Sequence, residues 1–267
     1  MFAKLLKNEF KTSAGVLGVM SLAALGAGTA GGLMLRYTVN AAAAGREGVM
    51  AGMVSSMMIF IILGLLAYSF GGGFYLLYQF YRSKFTDEGY LTFTLPVRTW
   101  QIFLASLVNI LLWTLIIGVV LIVSFALIFL VGLFNSEFIE QLREVLMQTY
   151  GIVPESYLTV LPQVPPVLQI AASVLEFVSE NVIFMTCITI GAILARRRKL
   201  LGALGVYLGY SLISGMVTTG IMTPYLQGVS GWTMDTYYIL VSLYMLTLSV
   251  GGTLLSSWLM KRKLNLP

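Results

Sequence analysis

Two glutamates, Glu176 and Glu180, lie inside a long apolar segment, where a charged side chain is costly and is a functional candidate by default. Because they are four residues apart, they share one face of a helix. Such a pair can attract a cationic ligand or bind protons. Measured from Arg196 at the predicted inner end, Glu180 lies roughly 24 Å and Glu176 roughly 30 Å along the helix. The pair therefore either faces water at an outer rim or lines a polar cavity, with Arg36 as a candidate counter-ion.

Other kinds of reactive site are excluded by residue type. The chain has no histidine and a single cysteine, Cys187, so it has no Ser/His/Asp or Cys/His arrangement, no disulfide within the chain and no His/Cys site for zinc or haem. The Gly-rich loop that ends in Gly-Lys-Ser/Thr is also absent, so we do not expect this chain to bind ATP in the usual way. The sequence predicts neither an enzyme nor a bound cofactor.

The composition indicates a membrane protein. Hydrophobic residues make up 58% of the chain and charged residues 10%, and the mean hydropathy is +0.89. Soluble domains carry about 25% charged residues. Six apolar runs are long enough to cross a bilayer as helices, at residues 14–35, 49–80, 102–134, 164–195, 200–222 and 237–260. We predict an all-α integral membrane protein with six transmembrane helices, forming a single domain over residues 1–267.

The distribution of basic residues predicts the orientation. All but three of the 16 Lys and Arg residues fall on one side of the predicted spans, and the exceptions are Arg36, Arg46 and Arg143. Because loops rich in Lys and Arg remain in the cytoplasm, both termini are predicted to be cytoplasmic. The net charge of +5 then serves contact with anionic lipid rather than nucleic acid. Lysines before the first apolar run resemble those of a signal peptide, but the run is long for one, and we interpret it as a retained span.

Two further segments are predicted to lie at the membrane surface. In residues 1–12, Phe2, Leu5, Leu6 and Phe10 recur at helical spacing between lysines, which indicates an amphipathic helix on the inner leaflet rather than a frayed basic terminus. Residues 133–163 hold a second amphipathic pattern and a Pro-rich stretch, which predicts an extracellular amphipathic helix between spans three and four.

Small residues predict where helices meet. Gly28 and Gly32 are four apart in the first span, as are Gly205 and Gly209 in the fifth, and such pairs allow two backbones to approach closely. The fifth span also carries Gly202, Gly215 and Gly220, and we expect a dense contact there.

The connection between spans two and three, residues 81–100, reads YRSKFTDEGYLTFTLPVRTW. It is longer than a helix–helix link needs to be, since such links often take about 2–8 residues. Apolar and charged side chains alternate in it, which suggests that a partner docks on this predicted cytoplasmic loop. The alternative is a loop that lies on lipid headgroups.

The stretch FTDEGYLTFTLPV at residues 85–97 resembles the first cytoplasmic loop of bacterial ATP-binding-cassette permeases of the type-2 exporter class. The opening KLLKNEFK and the closing KRKLNL are similar to that class as well, as is the layout of six spans with no ATPase domain. One departure is that the long outer segment follows the third span instead of the fifth, so an outer gate like that of the better-known members is not expected.

The resemblance implies partners and roles. The permease would pair with a second permease subunit, identical or related, above a cytoplasmic ATPase dimer that binds ATP and magnesium. A coupling helix around residues 82–95 would insert into the ATPase, and the N-terminal segment would act as a connecting helix. Asp87 and Glu88 are then the candidates for polar docking. The remaining candidate coupling residues are Arg82, Phe85, Tyr90, Leu91 and Phe93.

The function expected from this resemblance is export of a hydrophobic or amphipathic substrate across the cytoplasmic membrane. Two alternatives stay open. One is a transporter driven by a proton or sodium gradient, with Glu176 and Glu180 carrying the coupling ion. The other is a non-transporting membrane sensor or immunity protein.

Overall fold

The structure is a computed structural model that describes residues 2–44, 48–86, 89, 98–133, 166–195 and 198–263. Within those residues the regular elements are helices, and no strand occurs among them. In chain order the helices are α1 (Phe2–Ala43), α2 (Val49–Phe85), α3 (Thr99–Leu133), α4 (Pro166–Leu194), α5 (Lys199–Leu226) and α6 (Met234–Lys263). The all-helical prediction is confirmed for this part of the chain.

All six helices are long and apolar enough to cross a membrane. In hydrocarbon only a helix satisfies its own backbone N–H and C=O groups, so long apolar runs without strand alternation fold in this way. The most apolar is α3, with a mean hydropathy of 3.1 in its best window. The predicted multi-pass arrangement is therefore supported by length and composition.

Helix α1 extends beyond its predicted span in both directions. It is continuous over 42 residues, so the segment proposed to lie on the inner leaflet runs into the first span without a break. Lys4, Lys7 and Lys11 are exposed along it. Helix α2 likewise continues past the predicted end at residue 80 as far as Phe85. The extracellular helix predicted at residues 133–163 lies outside the described residues, apart from Leu133 at the end of α3.

The contacts divide the chain into two compact units, one comprising Lys11–Tyr75 with Leu112–Leu161, the other Met1–Phe10, Leu76–Leu111 and Pro162–Pro267. In the first unit α1 packs closely on α3. A Cβ atom at Gly28 would lie 2.7 Å from the backbone oxygen of Ser124, and one at Gly32 would lie 2.7 Å from the Cβ of Val131. The close approach predicted from the Gly28/Gly32 pair is confirmed.

In the second unit α4 packs against both α5 and α6. Hydroxyl groups join α4 to α6, with Ser179 Oγ 2.6 Å from Ser249 Oγ and Ser256 Oγ donating to Thr186 Oγ1 at 3.1 Å. Gly252 lets α6 approach, since a Cβ there would lie 2.9 Å from Thr186 Oγ1. Hydrogen bonds of this kind hold membrane helices together where the hydrophobic effect does not.

The glycine pair of α5 behaves differently from the pair in α1. No atom of the structure lies within 4 Å of a Cβ built at Gly205 or Gly209. The dense contact expected there is not made by these glycines within the described part of the chain. The close approach expected for α5 occurs at Gly202, where a Cβ would lie 2.8 Å from the backbone oxygen of Gly191 in α4.

Candidate functional site

A buried polar cluster lies at the end of α2, directly before the loop that resembles a coupling segment. Lys84 Nζ donates to Glu9 Oε1 at 2.7 Å, and Ser106 Oγ donates to the same oxygen at 2.9 Å. The side chains of Lys84 and Glu9 are only 3% and 15% exposed. One carboxylate oxygen thus joins the N-terminal turns of α1, the last turn of α2 and the first turns of α3. We call Glu9, Lys84 and Ser106 the Glu9 cluster.

The charges in this cluster depend on each other. Removing one partner of a buried ion pair leaves the other charge without compensation, which costs about 3–5 kcal/mol, although replacing both by apolar groups is often neutral. Ser106 supplies the carboxylate with a second donor, and the backbone oxygen of Ile102, 3.2 Å from the same hydroxyl, competes for its single proton. The arrangement therefore fixes the relative positions of three helix ends.

A second contact fixes the final residue of α2. The last four carbonyl groups of a helix have no partner inside it, and Lys199 Nζ donates to the carbonyl oxygen of Phe85 at 2.8 Å. Since Lys199 begins α5, this bond ties the start of the predicted coupling loop to a fourth helix.

Aromatic packing holds the same turn from the other side. The ring of Phe85 lies 5.8 Å from that of Phe80 at an angle of 77°, and 6.3 Å from that of Tyr81. Phe80 in turn contacts Phe103 of α3, with ring centroids 6.2 Å apart. Phe85 is 3% exposed. The structure therefore places Phe85 in the interior of the chain, where it positions the turn, rather than on a surface that a partner could cover.

The other predicted coupling residues are only partly described. Arg82 is exposed in the last turn of α2, and Thr86 Oγ1 donates to its carbonyl oxygen. Asp87, Glu88, Tyr90, Leu91 and Phe93 lie outside the described residues. The structure describes the contacts at the end of α2, where residues 81–86 of the predicted coupling loop begin.

The sequence did not predict the contact among Glu9, Lys84 and Ser106. Glu9 and Lys84 are 75 residues apart, and Ser106 lies beyond another loop. In the sequence the two residues belong to segments predicted separately, the N-terminal amphipathic segment and the loop at residues 81–100. The available signal was Glu9 itself, an acidic residue among the basic residues of the first turns of α1, in a chain with few acidic residues.

Glu176 and Glu180, the second group of residues predicted to be functional, both lie in α4. Glu180 is the central residue of α4, roughly 21 Å from either end at 1.5 Å per residue. It is half-buried, while Glu176, one turn nearer the helix start, is exposed. The bounds of the helix place Glu180 at its centre, and its role at an outer rim or in a polar cavity stays a prediction. Arg36 is exposed and belongs to the other unit.

Aromatic residues surround the face of α4 that carries Glu180. Phe184 stacks on Tyr207 of α5 with ring centroids 4.6 Å apart, and Tyr207 lies 6.3 Å from Tyr210. Glu180 lies one helical turn before Phe184, so the two side chains share one face of α4. Among the residues that the structure describes, the Glu180 carboxylate makes no hydrogen bond and no ion pair. We call Glu180, Phe184, Tyr207 and Tyr210 the acid–aromatic cluster.

Two further observations concern ligands. An open groove of about 580 Å³ follows one face of α5, lined by Ser211, Gly215, Thr219 and their neighbours, with hydroxyl groups but no charged side chain. Across the described ranges, no group of three or more His, Cys, Asp or Glu side chains could hold a metal ion.

Comparison with known proteins identifies no relative. No protein-family model matches the chain, and neither a curated protein nor a solved structure is similar to it.

Proposed function

We propose that this chain is the membrane-spanning permease subunit of an exporter in the cytoplasmic membrane, driven by separate ATP-binding-cassette ATPase subunits. ATP and magnesium bind to the ATPase dimer, which docks beneath the permease and a second permease subunit. ATP binding closes the ATPase dimer, and the movement passes through residues 81–100 to the helices. A hydrophobic or amphipathic substrate then moves from a cavity open to the cytoplasm to one open to the outside.

The observation that carries this proposal is the anchoring of α2 immediately before the loop. Lys84 donates to Glu9 of α1, and the same oxygen of Glu9 accepts a hydrogen bond from Ser106 of α3. Phe85 accepts a hydrogen bond from Lys199 of α5. A loop that merely rests on lipid headgroups needs no such support. A loop that receives a force needs its base joined to the elements that must move, and the Glu9 cluster and Lys199 supply that connection.

Within the proposal, the residues have separate roles. Asp87 and Glu88 make polar contacts with the ATPase, with Tyr90, Leu91 and Phe93 as apolar anchors. Arg82, which is exposed, contributes at the edge of the docking surface. Phe85 acts from inside, by holding the last turn of α2 in place.

A transporter driven by an ion gradient is the second candidate function. The central position of Glu180 in α4 favours it, because such transporters bind their coupling ion near the midplane. Their binding sites are typically built from discontinuous helices, however, and α4 is continuous through Glu180. The ATP-driven function accounts for the resemblance of the loop as well, and we prefer it.

The experiment measures whether an ATPase belongs to the complex. The tagged chain is purified in mild detergent from its native host, and vanadate-sensitive ATP hydrolysis in the eluate is measured per mole of chain. We expect hydrolysis with wild type and its loss in the Asp87→Lys/Glu88→Lys variant, because the reversed charges repel a basic docking surface.

The matched control is Glu137→Lys/Glu140→Lys, which makes the same charge change on the predicted outer segment and should keep the activity. Absence of ATP hydrolysis from wild-type eluates, or equal activity in all three proteins, would show that this chain is not an ATPase-coupled permease.

A further inference from the structure

The Glu180 carboxylate is an acceptor for which the described part of the chain supplies no partner. It lies at the centre of a helix that can cross a membrane, and it is half-exposed on the surface of the chain. No hydrogen bond or ion pair reaches it from the residues that the structure describes. A charge at this depth is retained where it faces a cavity or a counter-charge, not hydrocarbon. The position therefore calls for a cationic group that the described residues do not provide.

The surroundings of Glu180 indicate what kind of cation fits. Phe184 and Tyr207 form a stacked pair, and Tyr210 extends the aromatic surface along α5. All four side chains of the acid–aromatic cluster are partly exposed, so a ligand can reach them. The negative faces of aromatic rings attract cations, and together with a carboxylate they recognise quaternary and other organic cations.

Other occupants fit the cluster less well. A divalent metal ion requires several oxygen or nitrogen ligands, and no group of three acidic or cysteine side chains occurs in the described part of the chain. A proton or sodium ion makes no use of an apolar aromatic surface. A cation that carries apolar substituents can contact both the carboxylate and the aromatic rings of the cluster.

We propose that Glu180, Phe184, Tyr207 and Tyr210 bind an organic cation with apolar substituents, and that such amphipathic cations are the substrate class of this chain. The second half of this statement rests on the proposed export function, whereas the binding itself does not. Glu180 neutralises the charge, and the aromatic rings cover the apolar substituents.

Tetraphenylphosphonium is a suitable probe, because it is a large apolar cation and tetraphenylborate is an anion of the same shape. The full chain is placed in lipid nanodiscs, and binding of each ion is measured against empty nanodiscs. We expect saturable binding of tetraphenylphosphonium above that background. Tetraphenylborate should show none, since only its charge differs.

Matched variants locate the site. Glu180→Gln should weaken binding of tetraphenylphosphonium by roughly tenfold or more, because the counter-charge is lost. Glu176→Gln makes the same change one turn away at an exposed position and should leave binding within about twofold of wild type. Tyr207→Phe keeps the ring and should bind nearly normally, whereas Tyr207→Leu should bind roughly tenfold more weakly.

Equal binding of the cation and the anion, or equal weakening by Glu180→Gln and Glu176→Gln, would overturn the site. So would the absence of saturable binding to wild type. If the export function is wrong but the site is correct, the protein in nanodiscs will bind tetraphenylphosphonium through Glu180, yet no ATP hydrolysis will copurify with the chain. The reverse result, with ATP hydrolysis but no binding, refutes the site alone.

Discussion

Glu9 and Lys84 meet at 2.7 Å although 75 residues separate them in the chain. Their contact joins the first turns of the protein to the turn that precedes its longest predicted cytoplasmic loop. Ser106 adds α3 to the same carboxylate oxygen, and Lys199 adds α5 one residue further along α2. Four helix ends are therefore held together where we propose that force enters the membrane domain.

The ion pair itself can be tested by a double-mutant cycle. We expect Glu9→Gln and Lys84→Met each to lower the free energy of unfolding by about 3 kcal/mol, because each leaves the other side chain without its counter-charge. The double variant should lose less than the sum of the two. The measurement is denaturant unfolding in detergent micelles, and strictly additive losses would show that the charges of Glu9 and Lys84 do not interact.

The bond from Lys199 to the Phe85 carbonyl should protect the end of α2. In Lys199→Met the carbonyl loses a charged donor, which costs about 1.5–3 kcal/mol when the donor is fully effective. We expect faster amide hydrogen exchange over residues 81–86, measured by mass spectrometry. Lys261→Met provides the control, since Lys261 is exposed in α6 and the same change there should leave exchange in α2 unaltered. Unchanged exchange in Lys199→Met would contradict the bond.

Phe85 provides a test that separates positioning from docking. Because its ring is buried against Phe80 and Tyr81, Phe85→Ala should lower the free energy of unfolding by about 3–5 kcal/mol in the chain without any ATPase. A residue that served only to dock a partner would be replaceable without cost in the isolated permease. Thermal unfolding of the purified chain, compared with wild type, distinguishes the two, and an unchanged midpoint would refute the buried position.

The close approach of α1 and α3 makes a sharp prediction for glycine. Gly28→Ala should destabilise the chain by about 1–3 kcal/mol, because the added Cβ overlaps the backbone of Ser124 and the helices must separate. Gly26→Ala places the same methyl group one half-turn away, where no atom lies within 4 Å. It should be neutral or slightly stabilising, since alanine favours a helix. Equal melting temperatures for the two variants would contradict the packing.

The helices could be predicted from the sequence because hydrophobic runs of more than 20 residues have few other structures available to them. The ends of the helices were harder to predict from the sequence. Hydropathy placed the end of the second span at residue 80, since the next turn contains Arg82, Ser83 and Lys84. The helix continues because Lys84 finds a carboxylate and Phe85 finds aromatic neighbours. Those partners come from distant segments, which no local pattern reveals.

The candidate sites likewise combine residues that a local sequence signal identifies with neighbours that only the packing of the helices reveals. Glu180 was identified from its charge within an apolar run, which is a local signal. Its aromatic neighbours Tyr207 and Tyr210 depend on how α5 packs against α4, and therefore required the structure. The Gly28/Gly32 pair identified a true contact and Gly205/Gly209 did not, because spacing alone does not say which face of a helix meets another helix of the same chain.

The central claim is that ATP on a separate subunit changes access to this chain. It is tested most directly in inside-out membrane vesicles from the native host, with Glu180→Cys as the only cysteine in a Cys187→Ala background. A membrane-impermeant maleimide is added from the cytoplasmic side, and Lys261→Cys serves as the control for labelling. We predict that Glu180→Cys is labelled without nucleotide and protected by ATP with vanadate, while Lys261→Cys is labelled in both conditions. Identical labelling of Glu180→Cys with and without ATP and vanadate, combined with a response to a proton gradient, would contradict the account.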